Sequence, residues 1–186
     1  GELGWGEQCT FSPTYLPGHA GATQAAIPLL AAAVLGCDPR EVDKVHDRMD
    51  EALVGHEYAK SVLDIACWDL LGQATGLRVS ELLGGTRRDE VPLYKAVSLA
   101  EPHRMRERAA QIQAEGYRLL QVKVGDAWQE DVQRVIQCIA GAPAMGRVVV
   151  DANGRWPRHE AMRAARHLRE LDVYLEQPCP TAAQCS

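Results

Sequence analysis

From about residue 90 onward, short apolar runs alternate strictly with helical patterns, and this restricts the fold more than any other feature. VPLYKAVS (91–98), LLQVKVG (119–125), RVVVDAN (147–153) and VYLEQP (173–178) read as strands. Between them, Pro102 opens a helix with Met105, Ala109 and Ile112 on one side, closed by Gly116. A second helix, Asp131–Ala140, turns Val132, Val135, Ile136 and Ile139 inward, and a third runs from Pro157 to Arg169. Short strand–helix–strand connections are right-handed crossovers and imply a parallel sheet. Each such unit takes about 30 residues, which leaves room for three units and a fourth strand. A closed eight-fold barrel needs about 250 residues. The remaining options are a small open sheet or the first half of a barrel. An independent half would leave a long apolar edge strand on each side, which proteins normally avoid.

The first 89 residues are of a different kind. GELGWGEQ begins like a strand pair already under way, with a strand over Leu3–Gln8, and the chain stops at Ser186 soon after another strand. A piece of a longer protein is expected. A loop rich in Ser, Pro, Gly and Tyr follows. Ala22, Ala25, Ala26, Leu29, Leu30 and Ala33 then recur at helical spacing up to Gly36. Asp38-Pro39 reads as an N-cap and first turn for a helix carrying Val42, Val45, Met49 and Leu53. A third helix, about Glu57–Ala74, has a wide apolar stripe and ends at Gly76. A short helical turn, Val79–Leu83, leads to Gly84-Gly85. Two domains are therefore expected, 1–89 mostly helical and 90–186 α/β.

Charge and cysteine usage narrow the partners. The net charge is −5 and no basic cluster appears, which argues against nucleic acid. The basic residues of Arg155–Arg169 alternate with Glu160, His167 and apolar positions, as on a solvated helix face. No segment reaches the roughly 18 apolar residues of a membrane span. The six cysteines are irregularly spaced with no C-x-x-C pair, and four lie in or beside apolar stretches. They read as reduced thiols of a cytoplasmic protein rather than as a disulfide framework or a zinc site.

The chemistry gathers where strands run out. In VVVDAN, three β-branched residues run straight into Asp151. The C-terminal ends of parallel strands are where α/β folds place their sites. Taken alone, Asp151 serves equally well as a cap for the following turn. One strand earlier, Leu119, Gln121 and Lys123 share a face opposite Leu120, Val122 and Val124. Lys is rarely buried without a partner, so Lys123 either snorkels to solvent or belongs to a site. One strand later stands Glu176. On adjacent parallel strands these three would point to one mouth. Either they form a buried salt-bridge network, or a divalent cation uses the carboxylates, since Mg²⁺ takes hard oxygen ligands. Lys123 would then act as a base or an electrostatic stabiliser.

QVKVG (121–125), VVVDANGRW (148–156) and VYLEQPCP (173–180), preceded by SVLDIACWDLLGQATG (61–76), resemble the enolase superfamily in its mandelate racemase and muconate lactonizing branch. The resemblance covers essentially the whole chain. SPTYLPG, DIACWDLLG and EQPCPT are most similar to the cis-3-hydroxy-L-proline dehydratases and the related proline-betaine epimerases. It implies an α+β capping-domain portion followed by the first half of a (β/α) TIM-type barrel, strands one to four. It implies that Lys123 is the acid/base, that Asp151 and Glu176 are the first two Mg²⁺ ligands, and that Asn153 and Gln177 hydrogen-bond around the site. Tyr15 matches the loop that closes over substrate, although an ordinary loop aromatic is equally open. Gln121 stands where the family often carries a lysine facing the substrate carboxylate. The third metal ligand and the opposing lysine would lie beyond Ser186, and the first capping strands before Gly1.

The reaction so implied is removal of a proton α to a carboxylate through an enediolate. A β-hydroxyl on the substrate leaves as water, as in cis-3-hydroxy-L-proline. Without a leaving group, reprotonation from the other face makes a racemase or epimerase. A third reading is an inactive fragment. The expected partners are a small, hydroxyproline-like carboxylate and further copies of the protein, with no nucleic acid and no membrane.

Overall fold

The computed structural model describes residues 1–12 and 18–185. The chain divides into two compact units, Gly1–Asp89 and Glu90–Ser186. Tyr15 lies outside the described residues.

The first unit is helical: α1 (Ala20–Val34), α2 (Val42–Ala52), α3 (Glu57–Thr75) and the single turn α4 (Val79–Leu82). Ala26 and Leu30 of α1, Val45 and Met49 of α2, and Ala59 and Cys67 of α3 are its buried centre. Their spacing of four or eight residues puts each pair on one helix face. The His19 ring nitrogen Nδ1 caps α1 by accepting the Ala22 N–H at 3.3 Å.

Two sequence expectations fail in this unit. Leu3–Gln8 forms no strand among the described residues. It runs along α3 instead: the Trp5 N–H donates to Asp69 Oδ2 at 2.8 Å, and Gln73 Nε2 donates to the Leu3 carbonyl at 2.9 Å. A Cβ on Gly4 would collide with the Ala66 carbonyl and the Leu70 side chain, and one on Gly6 with the Val62 carbonyl. The glycine spacing that suggested a strand thus serves a close approach to a helix. Nor does Asp38 cap α2, whose N-cap is Glu41. The Asp38 carboxylate is taken up locally by the Arg40 N–H at 3.0 Å and the Arg40 guanidinium at 2.7 Å, an Asx-type turn that ends before the helix starts.

The second unit alternates β1 (Tyr94–Val97), α5 (Pro102–Ala114), β2 (Leu119–Lys123), α6 (Trp128–Gly141), β3 (Arg147–Asp151), α7 (Arg158–Leu168) and β4 (Tyr174–Glu176), with a final turn α8 (Ala182–Cys185). The four strands lie in the order β1-β2-β3-β4, every pair parallel. This is the arrangement of the first half of a (β/α) barrel. β1 is shorter than VPLYKAVS suggests. Pro92 has no N–H for a ladder, and Val91 and Leu93 beside it are exposed.

Each strand presents two faces. Leu120, Val122, Val148 and Val150, continued by Val124 and Ala152, pack against Met105, Ala109 and Ile112 of α5, Val132, Val135 and Cys138 of α6, and Ala161, Ala164 and Leu168 of α7. Burying a side chain such as Ile112 is worth about 1.5–3 kcal/mol. That exceeds the few tenths separating most helix propensities, so packing decides which helices form. The opposite face carries Gln121, Lys123, Asp151 and Glu176, and near the strand starts Arg147 lies 5.2 Å over the Tyr174 ring. The VVVDAN run is therefore packed against helices on one face only. α6 begins at Trp128, earlier than Asp131. Its buried stripe includes Asp131 and Arg134, which turns Ile136 to the margin, where it is exposed rather than inward.

Candidate active site

The parallel register sets the geometry. Lys123 is opposite Asp151, and Asp151 is opposite Glu176, so the last residues of β2, β3 and β4 form one row at the C-terminal ends of the strands. Lys123 Nζ lies 2.6 Å from Asp151 Oδ2 and donates to Asn153 Oδ1 at 3.2 Å. The Asp151 carboxylate is 1% exposed, and the Lys123 side chain is 27% exposed. Burial of a charged pair is tolerated only when the remaining oxygens find donors. Here they do. Gln121 Nε2 reaches Asp151 Oδ2 at 3.2 Å and Glu176 Oε2 at 2.8 Å, so one amide spans both carboxylates. Asn153 Nδ2 donates to Asp151 Oδ2 at 2.9 Å, and the Asn153 N–H donates to Oδ1 at 2.9 Å.

The cap reading of Asp151 is met by Oδ1, which accepts from the Asn153 N–H, while Oδ2 faces the lysine. Of the three strand-end residues, Lys123 and Asp151 form an ion pair, and Glu176 joins them through Gln121. Gln177 joins the edge of the cluster, its Oε1 accepting from Asn153 Nδ2 at 3.4 Å. Asn153 and Gln177 have φ of 48° and 40°, and the one other described non-glycine residue at positive φ is His56. Non-glycine residues in this region are uncommon and concentrate at functional sites. Six of the seven candidate residues therefore fall in the described structure and are brought together. Tyr15 is the exception.

The cluster sets one amine against two carboxylates, leaving excess negative charge beside a buried oxygen. Gln121 contributes donors without charge and does not neutralise it. The oxygen donors suit the preference of Mg²⁺. Asp151 and Glu176 would supply two ligands, and among the described residues no group of three His, Cys, Asp or Glu side chains could hold a metal. Further ligands would have to come from water, substrate or other parts of the whole protein.

One feature of this region escaped the sequence reading. Asp131 was legible only as the start of a helix, where acidic residues are common. The signal available was its spacing of three residues to Arg134, which on a helix brings the two charges together. It is taken up below.

Two domain models of one family divide the chain. The mandelate racemase/muconate lactonizing enzyme N-terminal domain matches residues 1–84, and the enolase C-terminal domain-like model matches residues 104–185. The chain belongs to the mandelate racemase/muconate lactonizing branch of the enolase superfamily. Among curated relatives, a cis-3-hydroxy-L-proline dehydratase of Roseibium aggregatum is 41% identical over 97% of the chain and 49% of its own length. An N-succinyl-L-Arg/Lys racemase of Bacillus cereus is 34% identical over 80% of the chain and 41% of its own length. Among solved structures, an enolase superfamily member from Roseovarius nubinhibens, complexed with magnesium, superposes with a TM-score of 0.89 at 40% identity, covering 98% of the chain and 50% of that protein. The chain thus spans about half the length of the curated relatives it matches.

Proposed function

We propose that the whole protein containing this chain abstracts the proton α to the carboxylate of a small amino acid, and that its substrate is cis-3-hydroxy-L-proline. The observation that carries this reading is the row Lys123–Asp151–Glu176 in register at the ends of β2, β3 and β4. In this reading Asp151 and Glu176 hold Mg²⁺, which when bound offsets the charge that develops on the substrate carboxylate as the α-proton leaves. Gln121 and Asn153 orient the two carboxylates through the hydrogen bonds already described. Lys123, in its neutral form, accepts the α-proton on Nζ. The electron pair left at Cα then expels the β-hydroxyl, which departs as water after protonation, and the resulting enamine tautomerises to a cyclic imine. Gln177 is assigned to the rim of the site, and Tyr15 to the loop that contacts substrate.

The relative identified as a cis-3-hydroxy-L-proline dehydratase supports the substrate. The racemase relative favours a second reading, reprotonation of the same carbon to give an epimer of a proline betaine or another amino-acid derivative. Incubating the whole protein with Mg²⁺ and cis-3-hydroxy-L-proline in D₂O separates them by mass spectrometry. Loss of one water from the substrate is the expected result. Deuterium at Cα without loss of water establishes the epimerase, and neither change overturns both.

A further inference from the structure

A second buried carboxylate lies beside the site and takes no part in the chemistry proposed above. Asp131, in the first turn of α6, is 0% exposed. Its Oδ2 accepts three hydrogen bonds, from the Gly125 N–H at 3.0 Å, the Asp126 N–H at 2.8 Å and Trp156 Nε1–H at 2.9 Å. Its Oδ1 accepts from the Arg134 guanidinium at 2.7 Å. Arg134 is itself buried. It donates through Nε to the Ala100 carbonyl at 2.9 Å and pairs with Glu130 at 3.1 Å.

None of these donors is an N–H of the first turn of α6, so Asp131 is not a helix cap. The backbone and indole donors belong to segments leaving the sheet, and so does the Ala100 carbonyl that accepts from Arg134. Gly125 and Asp126 follow directly on Lys123 and Val124. Trp156 follows the turn after Asp151 and Asn153, and is itself buried. Ala100 follows β1. One Asp–Arg pair therefore ties together the exits of β1, β2 and β3. Little slack remains between this tie and the site. Val124 N–H is bonded to the Asp151 carbonyl at 3.0 Å. Gly125 has φ +126°, and a Cβ there would lie 2.9 Å from Arg155 Cδ and 3.1 Å from the Ala152 carbonyl. A buried ion pair is weak evidence for stability, since apolar residues of equal volume often do as well. Its attested use is to select one arrangement among several.

We propose that Asp131 is a positioning residue for Lys123. By fixing the chain on either side of the mouth, it sets the reach of Nζ relative to Asp151 and Asn153. This rests on the proton-abstraction reading above. Two variants of the whole protein test it: Asp131→Asn, which removes the charge and one acceptor, and Trp156→Phe, which removes the Nε1–H donor together with part of a buried ring. The kcat for α-proton removal, read as loss of water or as Cα deuterium uptake, is expected to fall at least tenfold in the first and about threefold in the second, with KM within twofold. Labelling of Lys123 by an amine-selective reagent, read by mass spectrometry, is expected to rise at least threefold, with Lys95 unchanged as the internal reference. If Asp131→Asn does not fold, Trp156→Phe decides. Parental kcat per folded molecule, or parental Lys123 labelling, in a folded variant overturns the proposal. If the parent neither loses water from the substrate nor takes up deuterium at Cα, the catalytic reading fails, and Lys123 labelling alone decides the positioning role.

Discussion

Lys123 and Asp151 are the smallest unit on which the functional reading stands. Removing the amine leaves Asp151, which is 1% exposed, with the amide and backbone donors of Gln121 and Asn153 among the described residues. Breaking a buried pair on one side costs about 3–5 kcal/mol in general, and those remaining donors place the expected cost at the low end. Lys123→Ala is expected to lower kcat for α-proton removal, read as loss of water or as Cα deuterium uptake, by about 10²- to 10⁴-fold, the usual worth of a general base, with little change in KM. Retained turnover within tenfold would remove Lys123 from the mechanism. Asp151→Asn in the whole protein is expected to abolish the rise in thermal midpoint on adding Mg²⁺, because ligand binding to the folded state is what produces such a rise. A third residue-scale prediction concerns Cys138, whose thiol is pushed up to about 12 by burial. Since the thiolate is the reactive form, a thiol reagent at pH 8 should consume exposed Cys9 and Cys185 promptly. Cys138 should react only as the chain unfolds, and prompt labelling of it in native protein would contradict this packing.

At the scale of elements, the N-terminal stretch shows how one pattern serves two structures. Alternating glycines beside a Trp suit a strand, yet here they let an extended segment press on α3. Gly6→Ala forces a Cβ into the Val62 carbonyl, which is backbone and cannot swing aside. Overpacking of this kind costs about 1–3 kcal/mol. The expected result is a lower unfolding midpoint for the first unit, with Gly1→Ala, where a Cβ meets nothing, as the neutral control. The four parallel strands were legible because apolar runs of strand length alternate with amphipathic helices. Their exact ends were not, since a ladder ends where its partner does. VPLYKAVS extends past the residues that β2 can pair. The spacing of Asp131 and Arg134 was legible, but the burial of the pair was not, because its partners come from three separate segments.

For the molecule as a whole, charge pairing sets the response to pH. Hydrogen bonds hold three carboxyls below their ordinary values: Asp38 by Arg40, to about 2, Asp50 by Lys60, and Glu115 by Lys95. A depressed carboxyl contributes stability above its ordinary value and loses it as pH falls through the folded one. Lys95 is raised by Glu115, so its contribution is present below its ordinary value and lost as pH rises past the raised one. These groups predict a plateau between the ordinary Glu value of 4.5 and the ordinary Lys value of 10.5, with a decline below it toward pH 2. The carboxyls are exposed, so the decline should be shallow and weaker in high salt. Thermal midpoints across pH at two ionic strengths check this, and a maximum near pH 3 would contradict it. Residues 1–186 alone offer a metal two carboxylates, and millimolar Mg²⁺ is expected to stabilise them by less than about 0.5 kcal/mol.

The order of strands and helices, the branch of the enolase superfamily and the candidates Lys123, Asp151 and Glu176 were all determined by the sequence. Periodicity and strand-end chemistry are local properties, and local properties survive in one dimension. Tertiary structure decided that these residues form one row, because register is a relation between strands. It also decided that Gln121 bridges both carboxylates and that Asp131 and Arg134 together gather three loops, since each depends on segments that meet only after the sheet has formed.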